Sequence, residues 1–271
     1  MSWDLRNSSV PVGDTDMYFV SFGNGKKNLI LLPGLSDGLA TVKGKARLLA
    51  KPYEMFFEKY TVYMFSRKND MPDGYTIREM AEDQAVALKN LGIEKTSVLG
   101  VSQGGMIAQY LAIDHPELVE KLVLAVTAPK ATEEAVENIG HWCRYAEACD
   151  HKSLMIDTAE KSYSEALLRK YRKLYPIIGR IGKPKNYRRF LVNARAILDF
   201  DATADIAGIT CPTMIIGGAE DKIVGQDAAY DLHERIAGSE LYIYENFGHA
   251  AYEEAKDFNR RVFDFLEGDP Q

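Results

Sequence analysis

Five consecutive residues, Gly100-Val101-Ser102-Gln103-Gly104, have the types and spacing of a nucleophile motif, Gly-x-Ser-x-Gly. Random placement of the chain's glycines and serines would produce this pattern only about 0.07 times. The pattern is typical of a serine held at a sharp turn between a strand and a helix, where glycines remove side chains that would collide. Ser102 is therefore the candidate nucleophile for attack on a carbonyl carbon.

A serine hydroxyl is unreactive at neutral pH, so Ser102 requires a base and an acid that orients the base. An apolar run at 212–217 is soon followed by Asp221, and a second run at 241–244 is soon followed by His249. The carboxyl ends of parallel strands meet at one edge of a sheet. The sequence therefore predicts that Asp221, His249 and Ser102 share that edge as acid, base and nucleophile.

The elements that must position these residues alternate between strand-like and helix-like patterns. Several of the strand-like runs are continuously apolar, which is typical of strands buried on both faces of a parallel sheet. The predicted strands are 17–22, 28–32, 61–65, 96–100, 121–127, 212–217 and 241–244. The predicted helices between and after them are 76–91, 103–113, 226–236 and 251–266. This order predicts an α/β fold with a doubly wound, mostly parallel sheet.

One long segment breaks the alternation, because residues 129–207 contain no convincing strand. Their pattern predicts helices near 132–148, 153–175 and 186–198. We interpret 129–207 as a helical cap inserted into the fold, with residues 1–128 and 208–271 forming the core. A cap of this kind would cover one end of the sheet and enclose a substrate.

Together these motifs resemble the α/β-hydrolase superfamily over nearly the whole chain, and specifically a serine hydrolase with a helical cap. The matching pieces are Leu31-Leu-Pro-Gly-Leu35, the Ser102 motif, His115-Pro-Glu117, Gly218-Ala-Glu-Asp221 and Phe247-Gly-His249. The resemblance implies that the backbone N–H groups of Leu35 and Gln103 form an oxyanion hole. We expect Gly34, Met106 and Val224 to line the substrate pocket.

The chain departs from the family pattern at two loops. The family often has His-Gly before the oxyanion hole, where this chain has Pro33-Gly34. The loop after the third predicted strand commonly carries an Asp-x-x-Gly-x-Gly-like run, where residues 66–70 read Ser-Arg-Lys-Asn-Asp. These differences leave the three candidate residues intact but weaken the transfer of any one relative's substrate.

Two other carboxylates compete with Asp221 for the role of the acid. Glu220 precedes it directly, and Asp227 follows six residues later. The family pattern favours Asp221. In some relatives the acid instead follows the strand predicted here at 121–127, but Thr127, Ala128 and Pro129 offer no carboxylate at that point.

Composition excludes several classes of function. The formal net charge of −6 provides no global cationic field, which argues against nucleic-acid binding. The odd count of three cysteines implies no disulfide framework and fits a reducing compartment. The N-terminal residues show no signal-peptide pattern, and no apolar run is long enough to span a membrane. We expect a cytoplasmic protein that acts on a small molecule, as a monomer or a dimer.

Two features of the predicted cap could bind something else. The pair His141-x-Cys143 and Cys149-x-His151 places possible ligands two residues apart, but such residues face different sides of a helix and match no standard zinc spacing. We therefore expect no metal and no organic cofactor. Residues 167–195 contain ten Lys or Arg and no acid, which could attract an anion, although pairing with the acidic stretch 131–165 or simple solvation is favoured.

The expected chemistry is cleavage of an ester, a thioester or a related acyl bond of a small to medium substrate through an acyl-enzyme. A lactonase, a carbon–carbon bond hydrolase or an acyltransferase would use the same three residues. An alternative from another class is a ligand-binding receptor or scaffold with little turnover. Stoichiometric labelling of Ser102 without repeated turnover would favour that alternative.

Overall fold

The chain folds around one eight-stranded sheet in a computed structural model that describes residues 3–268. The strands are β1 (Leu5–Val12), β2 (Thr15–Phe22), β3 (Lys27–Leu32), β4 (Tyr60–Lys68), β5 (Thr96–Val101), β6 (Val119–Ala125), β7 (Thr213–Gly218) and β8 (Glu240–Tyr244). Their order across the sheet is β1-β2-β4-β3-β5-β6-β7-β8. Strands β4, β3 and β5 to β8 run parallel, which confirms the predicted fold class.

The antiparallel edge of the sheet contains a strand that the sequence analysis missed. Strand β1 pairs with β2, and β2 pairs with β4, both antiparallel. Only two of the eight side chains of β1, those of Val10 and Val12, are buried. A solvated edge strand of this kind carries little hydrophobic alternation, and Pro11 weakens the strand signal further.

Eleven α-helices are assigned within residues 3–268. They are α1 (Ala46–Leu49), α2 (Ile77–Asn90), α3 (Gln103–Asp114), α4 (Glu133–Glu147), α5 (His151–Ser162), α6 (Glu165–Tyr171), α7 (Tyr175–Ile178), α8 (Arg188–Leu198), α9 (Ala228–Arg235), α10 (Ala251–Glu254) and α11 (Phe258–Glu267). The single helix predicted at 251–266 is interrupted at Ala255, whose backbone is extended. The predicted helix at 153–175 is divided at Tyr163 for the same reason. No described helix is both long enough and apolar enough to cross a membrane.

Two hydrophobic layers cover the two faces of the sheet. One contains apolar residues of α2, α3 and α9 together with α4, α5 and α8. The other contains α1, α10, α11 and the aromatic residues near Phe56. Alternate residues of β3 enter opposite layers: Leu29 and Leu31 enter the second, Ile30 and Leu32 the first. Burial on both faces explains why the central strands read as continuous apolar runs.

Helices α4 to α8, residues 133–198, lie between β6 and β7 in the chain and are called the inserted helices below. Helix α8 packs against α4 and against a short 3-10 turn, Leu35–Gly38, that follows β3. The approach is close, because a Cβ atom at Gly38 would lie 2.8 Å from the Cα of Phe190 in α8. The inserted helices thus contact the turn that begins at Leu35, one of the two residues of the predicted oxyanion hole.

Candidate active site

Ser102 occupies the turn between β5 and α3 in a conformation that non-glycine residues rarely adopt, with φ 53° and ψ −119°. Such strain persists only where the surrounding structure enforces it, and it is common at functional sites. Two glycines permit the turn. A Cβ atom at Gly100 would lie 2.5 Å from the carbonyl oxygen of Gly104, and one at Gly104 would lie 1.9 Å from the carbonyl oxygen of Leu32.

Replacing Gly104 by alanine is therefore expected to lower the free energy of unfolding by about 3 kcal/mol or more, because backbone on both sides would have to move. Chemical denaturation monitored by circular dichroism measures the change. Gly140→Ala is the matched control: this helical glycine has open space, its nearest contact being Arg144 Nη1 at 3.8 Å. The control should gain about 0.5–1 kcal/mol. Equal effects of the two substitutions would contradict the steric argument.

The three residues predicted to act together lie in one chain of hydrogen bonds. Ser102 Oγ lies 2.9 Å from His249 Nε2, and His249 Nδ1 lies 2.8 Å from Asp221 Oδ2. The Oδ1 atom of Asp221 accepts from the backbone N–H groups of Ile223, at 2.8 Å, and Val224, at 3.1 Å. Asp221 is 3 % exposed and His249 8 % exposed. Both oxygen atoms of the Asp221 carboxylate are therefore hydrogen-bonded, although this side chain is shielded from solvent.

The loops after β7 and β8 hold Asp221 and His249 together. The N–H of Ala219 donates to the carbonyl of Tyr244 and the N–H of Glu220 to the carbonyl of Phe247, each at 3.0 Å. The N–H of Ala250, next to His249, donates to the carbonyl of Ser162 in the inserted helices at 3.0 Å. The two competing acids, Glu220 and Asp227, are exposed at the surface, and neither is hydrogen-bonded to His249.

The loop predicted to supply one half of the oxyanion hole passes beside Ser102. A Cβ atom at Gly34 would lie 3.3 Å from the Cβ of Ser102, which places the next peptide close to the serine. Among the described residues, the backbone N–H groups of Leu35 and Gln103 have no hydrogen-bond acceptor. Leu35 begins a 3-10 turn and Gln103 begins α3. Backbone N–H groups without partners at the start of a helix favour the binding of an oxyanion.

A buried arginine that the sequence analysis did not single out connects the two halves of this predicted hole. The guanidinium Nη2 of Arg67 donates to the carbonyl of Pro33 at 2.7 Å and to the side-chain oxygen of Gln103 at 2.9 Å. The Gln103 amide in turn donates to the carbonyl of Asn193 in α8 at 2.8 Å. Arg67 lies near the C-terminal end of β4, within residues 66–70, where the sequence departs from the family pattern. That departure is the sequence feature that could have indicated a special role for Arg67.

Asp37 balances the charge of this cluster. Its Oδ2 accepts from the N–H of Arg67 at 3.0 Å and from Nη2 of Arg189 at 2.7 Å. Burial alone would raise the pKa of Asp37, but the charges of Arg189 and Arg67 outweigh it and the net shift is downward. Burial lowers the pKa of Arg67 to about 10, against the opposing effect of Asp37. Asp37 and Arg67 are therefore both charged at neutral pH.

A cavity of about 320 Å³ adjoins His249 and Leu35 beneath the inserted helices. It is lined mainly by apolar and aromatic side chains, among them Trp142 of α4 and Phe190 of α8. A second cavity of about 580 Å³ contains Gly34 in its lining. The two cavities share Ser36, Tyr252 and Glu253.

The three residues expected in the substrate pocket lie in different places. Gly34 lines the second cavity, beside Ser102. Met106 is 1 % exposed within the core, and Val224 is 4 % exposed and contributes its N–H to Asp221. Neither Met106 nor Val224 lines the cavity beside His249 or the cavity beside Gly34. Met106 lies one helical turn further along α3 than Ser102, and Val224 packs next to the Asp221 carboxylate.

Several polar side chains of the inserted helices make contacts within the chain. His151 is buried and its Nε2 lies 2.9 Å from the carbonyl oxygen of Ile181. In the part of the chain that is described, no three His, Cys, Asp or Glu side chains form a group suited to a metal ion. Five of the ten cations of the basic segment form ion pairs: Arg169, Arg172, Arg188, Arg189 and Arg195.

Comparison with known proteins agrees with this fold. Residues 29–146 match the family model described as the alpha/beta hydrolase fold. A Pseudomonas putida protein named 2-hydroxy-6-oxononadienedioate/2-hydroxy-6-oxononatrienedioate hydrolase 2 is 28 % identical, over 94 % of this chain and 92 % of its own length.

Two solved structures superpose over nearly all of both chains. MGS-M2, an alpha/beta hydrolase enzyme from a Medee basin deep-sea metagenome library, has a TM-score of 0.83 at 19 % identity, covering 97 % of this chain and 98 % of its own. The enol-lactonase of Burkholderia xenovorans LB400 has a TM-score of 0.81 at 19 % identity, covering 96 % and 100 %. The chain is a hydrolase with the α/β-hydrolase fold.

Proposed function

We propose that the protein is a serine hydrolase that cleaves an ester, a thioester or a related acyl bond of a small to medium substrate. The observation that carries the proposal is the continuous chain of hydrogen bonds from Asp221 through His249 to Ser102. It ends beside a largely apolar cavity and two backbone N–H groups without partners. Nucleophile, base, orienting acid, anion donors and a substrate-sized space therefore coincide at one edge of the sheet.

The reaction would proceed through an acyl-enzyme. Nε2 of His249 accepts the proton of Ser102 as Oγ attacks the carbonyl carbon, and the N–H groups of Leu35 and Gln103 stabilise the oxyanion. Asp221 holds the imidazole with its proton on Nδ1 and stabilises the imidazolium. His249 then donates its proton to the leaving group. Water, deprotonated by His249, cleaves the acyl-enzyme and restores Ser102, so that no metal or organic cofactor is required.

The inserted helices would serve as the cap of this enzyme, within the segment 129–207. Trp142, Phe190 and neighbouring side chains cover the cavity beside His249. A cover that excludes bulk water shapes the pocket and strengthens electrostatic interactions inside it. The size of the cavity fits a small substrate group rather than a polymer surface.

A fluorophosphonate probe tests the nucleophile directly, because it reacts covalently with an activated serine. We expect one equivalent of label on the wild-type protein and none on Ser102→Ala, measured by intact-protein mass spectrometry. Ser36→Ala is the matched control, since Ser36 lines both cavities but is not hydrogen-bonded to His249, and this variant should label fully. Labelling of Ser102→Ala equal to that of the wild type would exclude Ser102.

Turnover separates an enzyme from a receptor with the same residues. Steady hydrolysis of p-nitrophenyl esters over many equivalents supports the hydrolase, whereas a single stoichiometric burst supports a ligand-binding protein.

Hydrolysis of a carbon–carbon bond is a second candidate, favoured by the name of the P. putida relative, which aligns over 94 % of this chain. The substrate in that name is a dioate and carries two carboxylates. An enzyme for such a substrate would use the same serine and histidine, but its pocket would have to accept two negative charges.

A further inference from the structure

The cavity beside His249 has a lining whose chemistry restricts the substrate further. Its walls combine aromatic and aliphatic side chains from the inserted helices and from the loops after β3 and β8; examples are Leu39, Trp142, Leu154, Tyr171 and Phe190. No lysine or arginine is among the described residues that line it. A carboxylate inside this cavity would therefore lose its hydration without gaining a cationic partner, which is unfavourable.

Two arginines beside the predicted oxyanion hole are engaged elsewhere. Arg189, on the same helix as Phe190, forms an ion pair with Asp37 and donates to the backbone carbonyls of Asp37, Arg67 and Lys68. Arg67 is 1 % exposed and donates to Pro33 and Gln103. Redirecting either guanidinium towards a substrate would break hydrogen bonds that hold the predicted oxyanion hole, and would leave a buried polar group without its partner.

The one carboxylate in the lining stands where the two cavities meet. Glu253 belongs to α10, four residues after His249, and lines both cavities. Its Oε2 accepts a hydrogen bond from the Tyr163 hydroxyl at 2.9 Å, and no described Lys, Arg or His forms an ion pair with it. Glu253 therefore presents a carboxylate without an ion-pair partner to the cavity beside His249, where it disfavours the binding of an anion.

We propose that this site selects substrates whose bound group is neutral and apolar, and discriminates against a carboxylate there. The inference rests on the proposed hydrolase function and narrows its substrate class. It also ranks the two candidate reactions, because a dicarboxylate would require a cationic partner that this lining does not provide. Glu253 acts here as a specificity-determining residue and takes no part in bond cleavage.

Two matched pairs of esters test the proposal, with a methyl group replaced by a carboxylate in each pair. On the acyl side, p-nitrophenyl pentanoate is compared with mono-p-nitrophenyl glutarate. On the alcohol side, pentyl acetate is compared with 5-acetoxypentanoate. We expect kcat/KM, corrected for spontaneous hydrolysis, to favour the neutral ester by about 50-fold or more in at least one pair. That pair also identifies which side of the substrate enters the cavity.

The variant Glu253→Gln removes the charge and keeps an oxygen that can accept from Tyr163. It should raise kcat/KM of the disfavoured charged ester, relative to that of its neutral partner, by about 5-fold or more. Glu254→Gln is the matched control, because this substitution removes the same charge one residue away. Glu254 accepts a hydrogen bond from Ser164 and does not line the cavity. The control variant should leave both rates unchanged, which separates a local effect from a change in net charge.

Each outcome of these measurements has one meaning. A preference below about 50-fold in both pairs, or a preference for the charged ester, overturns the selection for neutral groups while the serine mechanism stands. Equal effects of Glu253→Gln and Glu254→Gln overturn the role of Glu253. If Ser102 reacts with the fluorophosphonate but none of the four esters is cleaved, the inferred substrate class is wrong. If Ser102 fails to react as well, the proposed function fails with it.

Discussion

Replacing His249 by alanine is expected to lower kcat for p-nitrophenyl pentanoate by about four to six orders of magnitude. The imidazole is the one base in hydrogen-bond contact with Ser102 Oγ, at 2.9 Å, among the described residues. Without it the serine hydroxyl keeps its proton, and the leaving group loses its proton donor. Stopped-flow or long-term absorbance measurements of p-nitrophenolate release provide the rates. KM should change far less, because His249 forms only part of the cavity wall.

His115→Ala is the control for this substitution. His115 lies at the opposite end of α3 from the serine turn, and its Nε2 is 2.6 Å from Glu82 Oε1. Its loss should change kcat by less than about twofold. A His249→Ala protein that retains a tenth of the wild-type activity would show that another group deprotonates Ser102.

The second large effect is expected for Asp221→Asn, which should lower kcat by about 10⁴-fold with little change in stability. The asparagine oxygen can still accept from the N–H groups of Ile223 and Val224, so the loop after β7 keeps its hydrogen bonds. Its amide, however, donates to Nδ1 of His249. The imidazole proton then resides on Nε2, and that nitrogen can no longer accept the proton of Ser102.

Paired measurements distinguish this tautomer effect from unfolding. Thermal denaturation of Asp221→Asn should stay within a few degrees of the wild type while kcat falls. Glu220→Gln and Asp227→Asn provide the controls, since both carboxylates are exposed and neither is hydrogen-bonded to His249. Both controls should keep full activity. If Glu220→Gln or Asp227→Asn instead reproduced the loss, the orienting acid would be that residue.

The central strands of the sheet and the positions of Ser102, Asp221 and His249 could be predicted because the sequence patterns that indicate them are local. The continuous apolar runs of β5 and β7 reflect burial on both faces, and glycines at 100 and 104 reflect the close approach of β3 to the serine turn. By contrast, β1 has mostly solvated side chains and carries no such pattern. Its position depends on pairing with β2, which is a property of the folded sheet.

The pocket could not be predicted in the same way. Met106 and Val224 lie close to Ser102 and Asp221 along the chain, but both side chains are packed in the core. The cavity wall comes instead from Trp142, Phe190 and other side chains of the inserted helices. Which helical face covers the cavity is decided by packing between distant segments, as at Gly38 and Phe190, and periodicity alone does not specify it.

The Arg67 cluster has a consequence for protein engineering. The side chain of Gln103 is shared between Arg67 of the sheet and the Asn193 carbonyl of α8, and Asp37 is shared between Arg67 and Arg189 of α8. The sheet that holds Ser102 and the inserted helices therefore do not form interchangeable modules. A chimaera that replaces the inserted helices must supply an arginine and a carbonyl at these two positions, or it leaves Asp37 without its ion-pair partner Arg189 and the Gln103 amide N–H without an acceptor.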